Sequence, residues 1–269
     1  MGLKKPFFYC LVRAKPHIMR KMKSKKIYNI LKAVGVFALL IGVCVSAALF
    51  FHTYYYDLIY VSGASMYPTL NGDEDESQGS IVDFGIVDPH ESAKKHIKRF
   101  SIVSTYYPDS TDYDLVNNKL KPNAKKKIKR VVALPGETFE IKEDKLYVMK
   151  DGQFEHIPYS FKIVQKDGVY PKDTATPITL KDNEYWVLGD NRPASRDCAS
   201  LGTPITYENI YGVLVAIEGK GTLYVKEYVC DTCGNVEKTS KTGECTKCFN
   251  TMRAVYDVKD KHYHWPTFY

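Results

Sequence analysis

At 269 residues and 30.7 kDa, the chain can bury one sizeable core and carry a small appendage. Its 44% hydrophobic and 26% charged content excludes disordered and fibrous classes. The net charge of +7 would suit a nucleic-acid binder, but residues 1–29 hold nine Lys or Arg and no acid, leaving the remainder nearly balanced. No nucleic-acid partner is therefore expected.

The basic segment at 1–29 leads into an apolar run over 30–51 with Lys32 as its single charge. Nineteen uncharged residues from Ala33 to Phe51 match the ~20 needed to cross a ~30 Å hydrocarbon core. Tyr54-Tyr55-Tyr56 follows, amphipathic rings suited to an interface. A cleaved signal peptide or a buried core helix would read similarly. The run is long for a signal peptide, which favours a retained transmembrane helix. The basic flank predicts a cytoplasmic N-terminus, with the chain from 52 onward outside the cell membrane and a lipid bilayer as partner.

Beyond Tyr60, short β-rich segments alternate with turns. Strands are expected at Ser80–Val87, Phe100–Tyr107, Lys127–Ala133, Phe139–Lys142, Lys145–Met149, Tyr185–Leu188 and Ile210–Ile217. The pattern predicts a mainly antiparallel β domain over 52–224 and a separate tail over 225–269.

Three segments could carry chemistry: Ser62-Gly-Ala-Ser-Met-Tyr-Pro-Thr-Leu70, Ile128-Lys-Arg-Val-Val-Ala-Leu-Pro-Gly136 and Gly189-Asp-Asn-Arg-Pro-Ala-Ser-Arg-Asp197. Each alone reads as a turn or a strand start; together they suggest nucleophilic catalysis. A serine hydroxyl needs a base, and a lysine amine serves when burial lowers its pKa. Lys129 lies among Ile128, Val131 and Val132, and no histidine occurs in any of the three segments, so Ser65 with Lys129 is favoured over a Ser-His-Asp arrangement. The matches Ser92-Ala-Lys-Lys95 and Lys241-Thr-Gly243 to penicillin-binding motifs lie in polar contexts without the accompanying S-D-N, and chance explains them.

In this order, behind an apolar anchor, the segments resemble the signature boxes of type I signal peptidases (leader peptidases). Ser65-Met66-x-Pro68-Thr69-Leu70 resembles the nucleophile box, Arg99–Val103 with Tyr107-Pro108 the strand box, Lys129-Arg130 through Glu137 the base box, and Gly189–Arg192 with Ser195 and Asp197 the last box. The resemblance implies an antiparallel β-sheet core of signal-peptidase type and a serine endopeptidase that removes signal peptides from exported preproteins without a catalytic cofactor. It implies Ser65 as nucleophile and Lys129 as general base, with Ser195 orienting the lysine amine and Asp190 pairing with Arg130. The Ser65 backbone N–H would form the oxyanion hole, where Gly63 replaces a second hydroxyl found in some members. Met66, Leu70 and Ile128 would lie near the substrate pockets. Cys198-Ala199 stand where the family often has Ser-Arg, so the usual cationic partner of Asp197 is missing, and Arg196 should point away from it.

In the tail, Cys230-x₂-Cys233 and Cys245-x₂-Cys248 have zinc-ribbon spacing. A closed structural Zn²⁺ site is the favoured expectation; two disulfides are the alternative outside the membrane.

Overall fold

The computed structural model describes residues 16–71, 81–239 and 243–269. The chain divides into two units, Met1–Tyr55 and Tyr56–Tyr269. In the first, helix α1 runs from Pro16 to Tyr54. Proline suits a first helical turn, where its fixed φ is pre-set and its missing N–H would have no partner. The apolar stretch Ile27–His52 holds 26 residues, about 39 Å at 1.5 Å per residue. Every side chain along it is exposed, with Phe37 at 66% and Leu39 at 67%. A helix this apolar and this exposed is not a core helix; it is long enough to cross a membrane.

The second unit is mostly antiparallel β. Its early strands are β1 (Asp57–Tyr60), β2 (Ile81–Asp88), β3 (Ile102–Thr105), β4 (Tyr113–Asp114), β5 (Lys119–Leu120) and β6 (Lys127–Ala133). Then come β7 (Thr138–Lys142), β8 (Lys145–Lys150), β9 (Gln153–Ile157), β10 (Ile178–Thr179) and β11 (Glu184–Leu188). The last are β12 (Ile205–Thr206), β13 (Ile210–Val229), β14 (Val236–Glu237) and β15 (Arg253–Phe268). Short helices α2 (Glu91–Lys94) and α3 (Cys198–Leu201) interrupt them. The large sheet runs β1-β2-β13-β3-β6-β11-β12, with β14 and β15 also on β13; a second sheet runs β10-β7-β8-β9.

Each expected strand is present, Lys127–Ala133 with unchanged ends and the others with altered ones; residues 72–80, with Ser80 among them, lie outside the described residues. The second strand begins at Ile102 rather than Phe100 because Phe100 takes a left-handed φ of 71°. Lys150-Asp151-Gly152 closes a hairpin: Asp151 and Gly152 have φ of 47° and 81°, as a type I′ turn requires, and the returning strand β9 had not been expected. The largest difference is at the tail. β13 continues through Val225, where the composition suggests a boundary, and pairs with β15 from Ala216–Phe268 to Val229–Arg253.

Two apolar clusters position the site. One joins β3, β6 and β11 to β7 and β8 through Val103, Val131, Val132, Phe139, Ile141, Leu146 and Trp186. The other gathers Ile59, Val61, Met66, Leu70, Val87, Ile102, Leu214 and Ile217.

Candidate active site

The loop bearing Ser65 is fastened at both ends. Asn71 Nδ2 donates to the Val61 carbonyl (2.7 Å), and Asn71 exchanges bonds with Asp83 on β2: its N–H donates to Oδ2 (2.6 Å) and its Oδ1 accepts from the Asp83 N–H (2.8 Å). Met66 and Leu70, each 1% exposed, are sunk in the second cluster, and Ile128 packs against it. The flanks of the serine are thus held by packing and hydrogen bonds. Gly63 has a φ of 86°, and a Cβ there would meet no atom within 4 Å.

Lys129 lies on β6, paired with Val103 of β3. Its amine donates to Ser65 Oγ and to the Ile128 carbonyl, both at 2.8 Å, and the residue is 3% exposed. Burial pushes the amine down to about 8, with Lys172 and Lys127 acting in the same direction and Asp197 and Asp190 opposing. The amine thus gives up its proton more readily than an ordinary lysine, the property a proton acceptor for a serine needs.

The last box wraps this pair. Arg130 grips Asp190 with two bonds, Nε to Oδ1 (2.9 Å) and Nη2 to Oδ2 (2.6 Å), while Thr69 Oγ1 donates to Asp190 Oδ2 (2.5 Å). One carboxylate therefore joins all three segments in a charge-assisted, bidentate geometry. The Arg130 guanidinium also stacks 3.8 Å from the Phe161 ring centroid. The Asn191 backbone N–H donates to the Ser65 carbonyl and its Nδ2 to the Ala64 carbonyl, both at 3.1 Å. Gly189 is the residue that permits this approach: a Cβ there would stand 2.4 Å from the Ser65 oxygen and 2.2 Å from Ser195 Oγ.

Ser195 is buried beside Gly189, and its hydroxyl has no hydrogen-bond partner among the described residues. Asp197 accepts from the Gly189 N–H (3.1 Å) through Oδ2 and from Lys172 Nζ (2.9 Å) through Oδ1. Arg196 turns away and pairs with Asp109 at 2.6 Å. Lys172, Asn71 and Asn191 escaped sequence reasoning. Nothing local marks Lys172, in a polar loop; the one available signal was an Asp197 without a cation in its own segment.

At the far end of β13 and β15, Cys230, Cys233, Cys245 and Cys248 place four sulfurs within 4.8 Å of one another. The closest pairs are 3.4–3.5 Å apart, beyond a disulfide bond and close to the ~3.8 Å edge of a tetrahedron with ~2.3 Å metal–sulfur bonds. The two knuckles repeat each other. Gly234 and Phe249 follow their second cysteines with φ of 70° and 62°, and their N–H groups return to the carbonyls of Cys230 and Cys245. Asn250 N–H and Nδ2 bonds to Cys248 hold that thiol down to about 6, while the neighbouring sulfurs push the Cys233 thiol up, so the four share their protons unevenly. The donor set fits a soft-ligand cation with no open position.

Fold and site together define a serine peptidase built on a buried Ser–Lys pair. The chain matches the family "Signal peptidase, peptidase S26" over residues 33–217. It is 30% identical to signal peptidase I S of Bacillus subtilis (strain 168) over 180 residues, covering 65% of this chain and 83% of that one. Signal peptidase I V of the same strain is 32% identical over 159 residues, covering 57% of this chain and 80% of that protein. A crystal structure of a signal peptidase I from Enterococcus faecalis V583 covers 44% of this chain and 96% of its own, at 26% identity and a TM-score of 0.33. The chain belongs to the signal peptidase family, peptidase S26, and is a serine endopeptidase of the type I class. The family match ends at Ile217, part-way along β13, so the cysteine hairpin lies beyond it.

Proposed function

We propose that this enzyme is anchored in the cell membrane by α1 and removes N-terminal signal peptides from exported preproteins, using Ser65 as nucleophile and Lys129 as general base. The observation that carries the reading is the 2.8 Å contact between Ser65 Oγ and a 3%-exposed lysine amine. Neutral Lys129 takes the hydroxyl proton as Ser65 Oγ bonds to the scissile carbonyl carbon; the resulting ammonium returns that proton to the leaving amine as the C–N bond breaks. The same amine then deprotonates a water that attacks the ester and frees Ser65.

The Ser65 N–H stabilises the oxyanion, and Gly63 contributes no hydroxyl. Ser195, whose buried oxygen has no hydrogen-bond partner among the described residues, orients the neutral amine. Arg130, Asp190 and Asp197 hold the surrounding shell. Met66, Leu70 and Ile128 line the underside of the pockets that accept small substrate side chains. The N-terminal basic residues remain in the cytoplasm and residues 56–269 lie outside. The four cysteines hold a structural Zn²⁺ that closes the hairpin tip, with no role in bond cleavage.

The test is cleavage of a preprotein by wild type, Ser65→Ala and Lys129→Ala in detergent or liposomes. Loss of more than ~10³-fold in both variants is expected. Wild-type activity in either variant would remove the pair from the mechanism, and inertness of the wild type on several preproteins would favour a membrane-tethered scaffold.

A further inference from the structure

Asp197 is fully buried beside the catalytic pair. Its own segment supplies no cation: Cys198-Ala199 follow it, and Arg196 is engaged by Asp109. The cation comes from another part of the fold. Lys172, 2% exposed, donates to the Ser195 carbonyl (2.6 Å), to Asp197 Oδ1 (2.9 Å) and to Ser200 Oγ (3.1 Å), so three acceptors meet its three N–H donors. Its loop is tied to the second sheet. Asp173 accepts from the N–H groups of Glu143 (2.8 Å) and Asp144 (3.0 Å), and Thr174 exchanges bonds with Ile141 on β7, its N–H to the carbonyl (3.0 Å) and its Oγ1 from the N–H (3.1 Å). The amine is therefore delivered from a fixed base rather than from a free loop.

We propose that Lys172 is a positioning residue of this peptidase: it fixes the Ser195–Asp197 segment against Gly189 and offsets the Asp197 charge beside the Lys129 amine. The proposal rests on the Ser65–Lys129 reading. The charged groups facing the Lys129 amine are Asp197 and Asp190 of the last box, Lys172, and Lys127 on its own strand. Burial is the largest influence on how readily Lys129 gives up its proton; with Asp190 bound by Arg130, the Lys172–Asp197 pair is the charge balance that adds to it. Lys172 itself makes no contact with Ser65 or Lys129 and moves no proton.

The experiment is the pH dependence of kcat/KM for preprotein cleavage by the full chain in detergent, for K172M, D197N, K172M/D197N and K172R. Removing the lysine charge moves the acid limb up by about half to one pH unit, so activity at pH 7 falls ~3- to 10-fold while the alkaline plateau changes less. D197N moves the limb down. The double variant, with neither charge, returns it to within a few tenths of the wild-type position, and K172R keeps it near wild type. A K172M limb at the wild-type pH, or a loss of equal size at every pH, overturns the proposal. If K172M does not accumulate as a folded chain, D197N decides: an unmoved limb overturns the proposal and a downward move supports it. Failure of the underlying Ser–Lys reading is seen separately, as cleavage by Ser65→Ala or Lys129→Ala.

Discussion

The amine of Lys129 has left water without gaining a carboxylate of its own, and its stability consequences follow from sign. Its folded pKa of about 8 lies below the ordinary 10.5. Between those values the unfolded chain binds more protons, so stability rises with pH across that window, and the full cost is present below about 8. The 2.5-unit difference sets a ceiling of ~3 kcal/mol. Lys129→Met is accordingly expected to abolish cleavage while raising stability by ~1–3 kcal/mol, read as a higher Tm in thermal melts at pH 7. A base of this pKa also predicts a log kcat/KM that climbs with unit slope up to about pH 8 and then levels. Asp190 behaves oppositely. It is 1% exposed and held by Arg130 and Thr69, so Asp190→Ala leaves a buried guanidinium uncompensated and should destabilise the fold by ~3–5 kcal/mol, measured by urea denaturation.

At the scale of elements, the tight seat of Gly189 makes a sharp forecast. Gly189→Ala would drive a methyl into the Ser65 carbonyl and the Ser195 hydroxyl; the nucleophile loop must shift, and kcat should fall ~10²-fold or more while circular dichroism stays near wild type. The cysteine hairpin gives another. If the proposed zinc is held there, a strong chelator should release one zinc per chain and lower Tm by several degrees, yet leave kcat/KM within ~3-fold, because Val213–Thr222 of β13 stay zipped to β2. How much of this was legible in the residues differs by element. β6 could be read to its ends because Ile128, Val131 and Val132 mark it between polar and turn residues, and the boxes could be read because their residue types are chemically distinctive. β15 could not: in Arg253–Phe268 the Val and aromatic residues are interrupted by Lys, Asp, His and a proline, and it is a strand because β13 offers it an edge, which is a tertiary fact. The Asp197 anchor was legible only as a vacancy, since its lysine arrives from 25 residues upstream through a loop with no pattern of its own.

At the scale of the whole molecule, the apolar helix and the β-rich unit with the Ser65–Lys129 contact are separate units. Residues 56–269 form a compact unit with both apolar clusters inside it. A chain lacking residues 1–55 should therefore fold, cleave a short soluble peptide at a rate near the full chain's, and lose ~10-fold or more on preproteins in liposomes, where confinement to one surface raises the effective concentration. Comparing the two substrates on the two chains measures that effect.

The antiparallel ladder around β13 also sets a timetable. Ser65 and Lys129 are 64 positions apart, but the Asn191 bond that seats the nucleophile loop spans 127, and β13, which joins β2 to β3, is completed only at Val229. At ~5–20 residues per second, roughly 5–20 s of synthesis separate the appearance of Lys129 from that of Val229. Throughout that interval the emerging chain holds serine and base without the scaffold that aligns them. Such high contact order makes closure of the sheet slow and late. Alignment of Ser65 with Lys129 therefore waits on β13, the strand that joins β2 to β3.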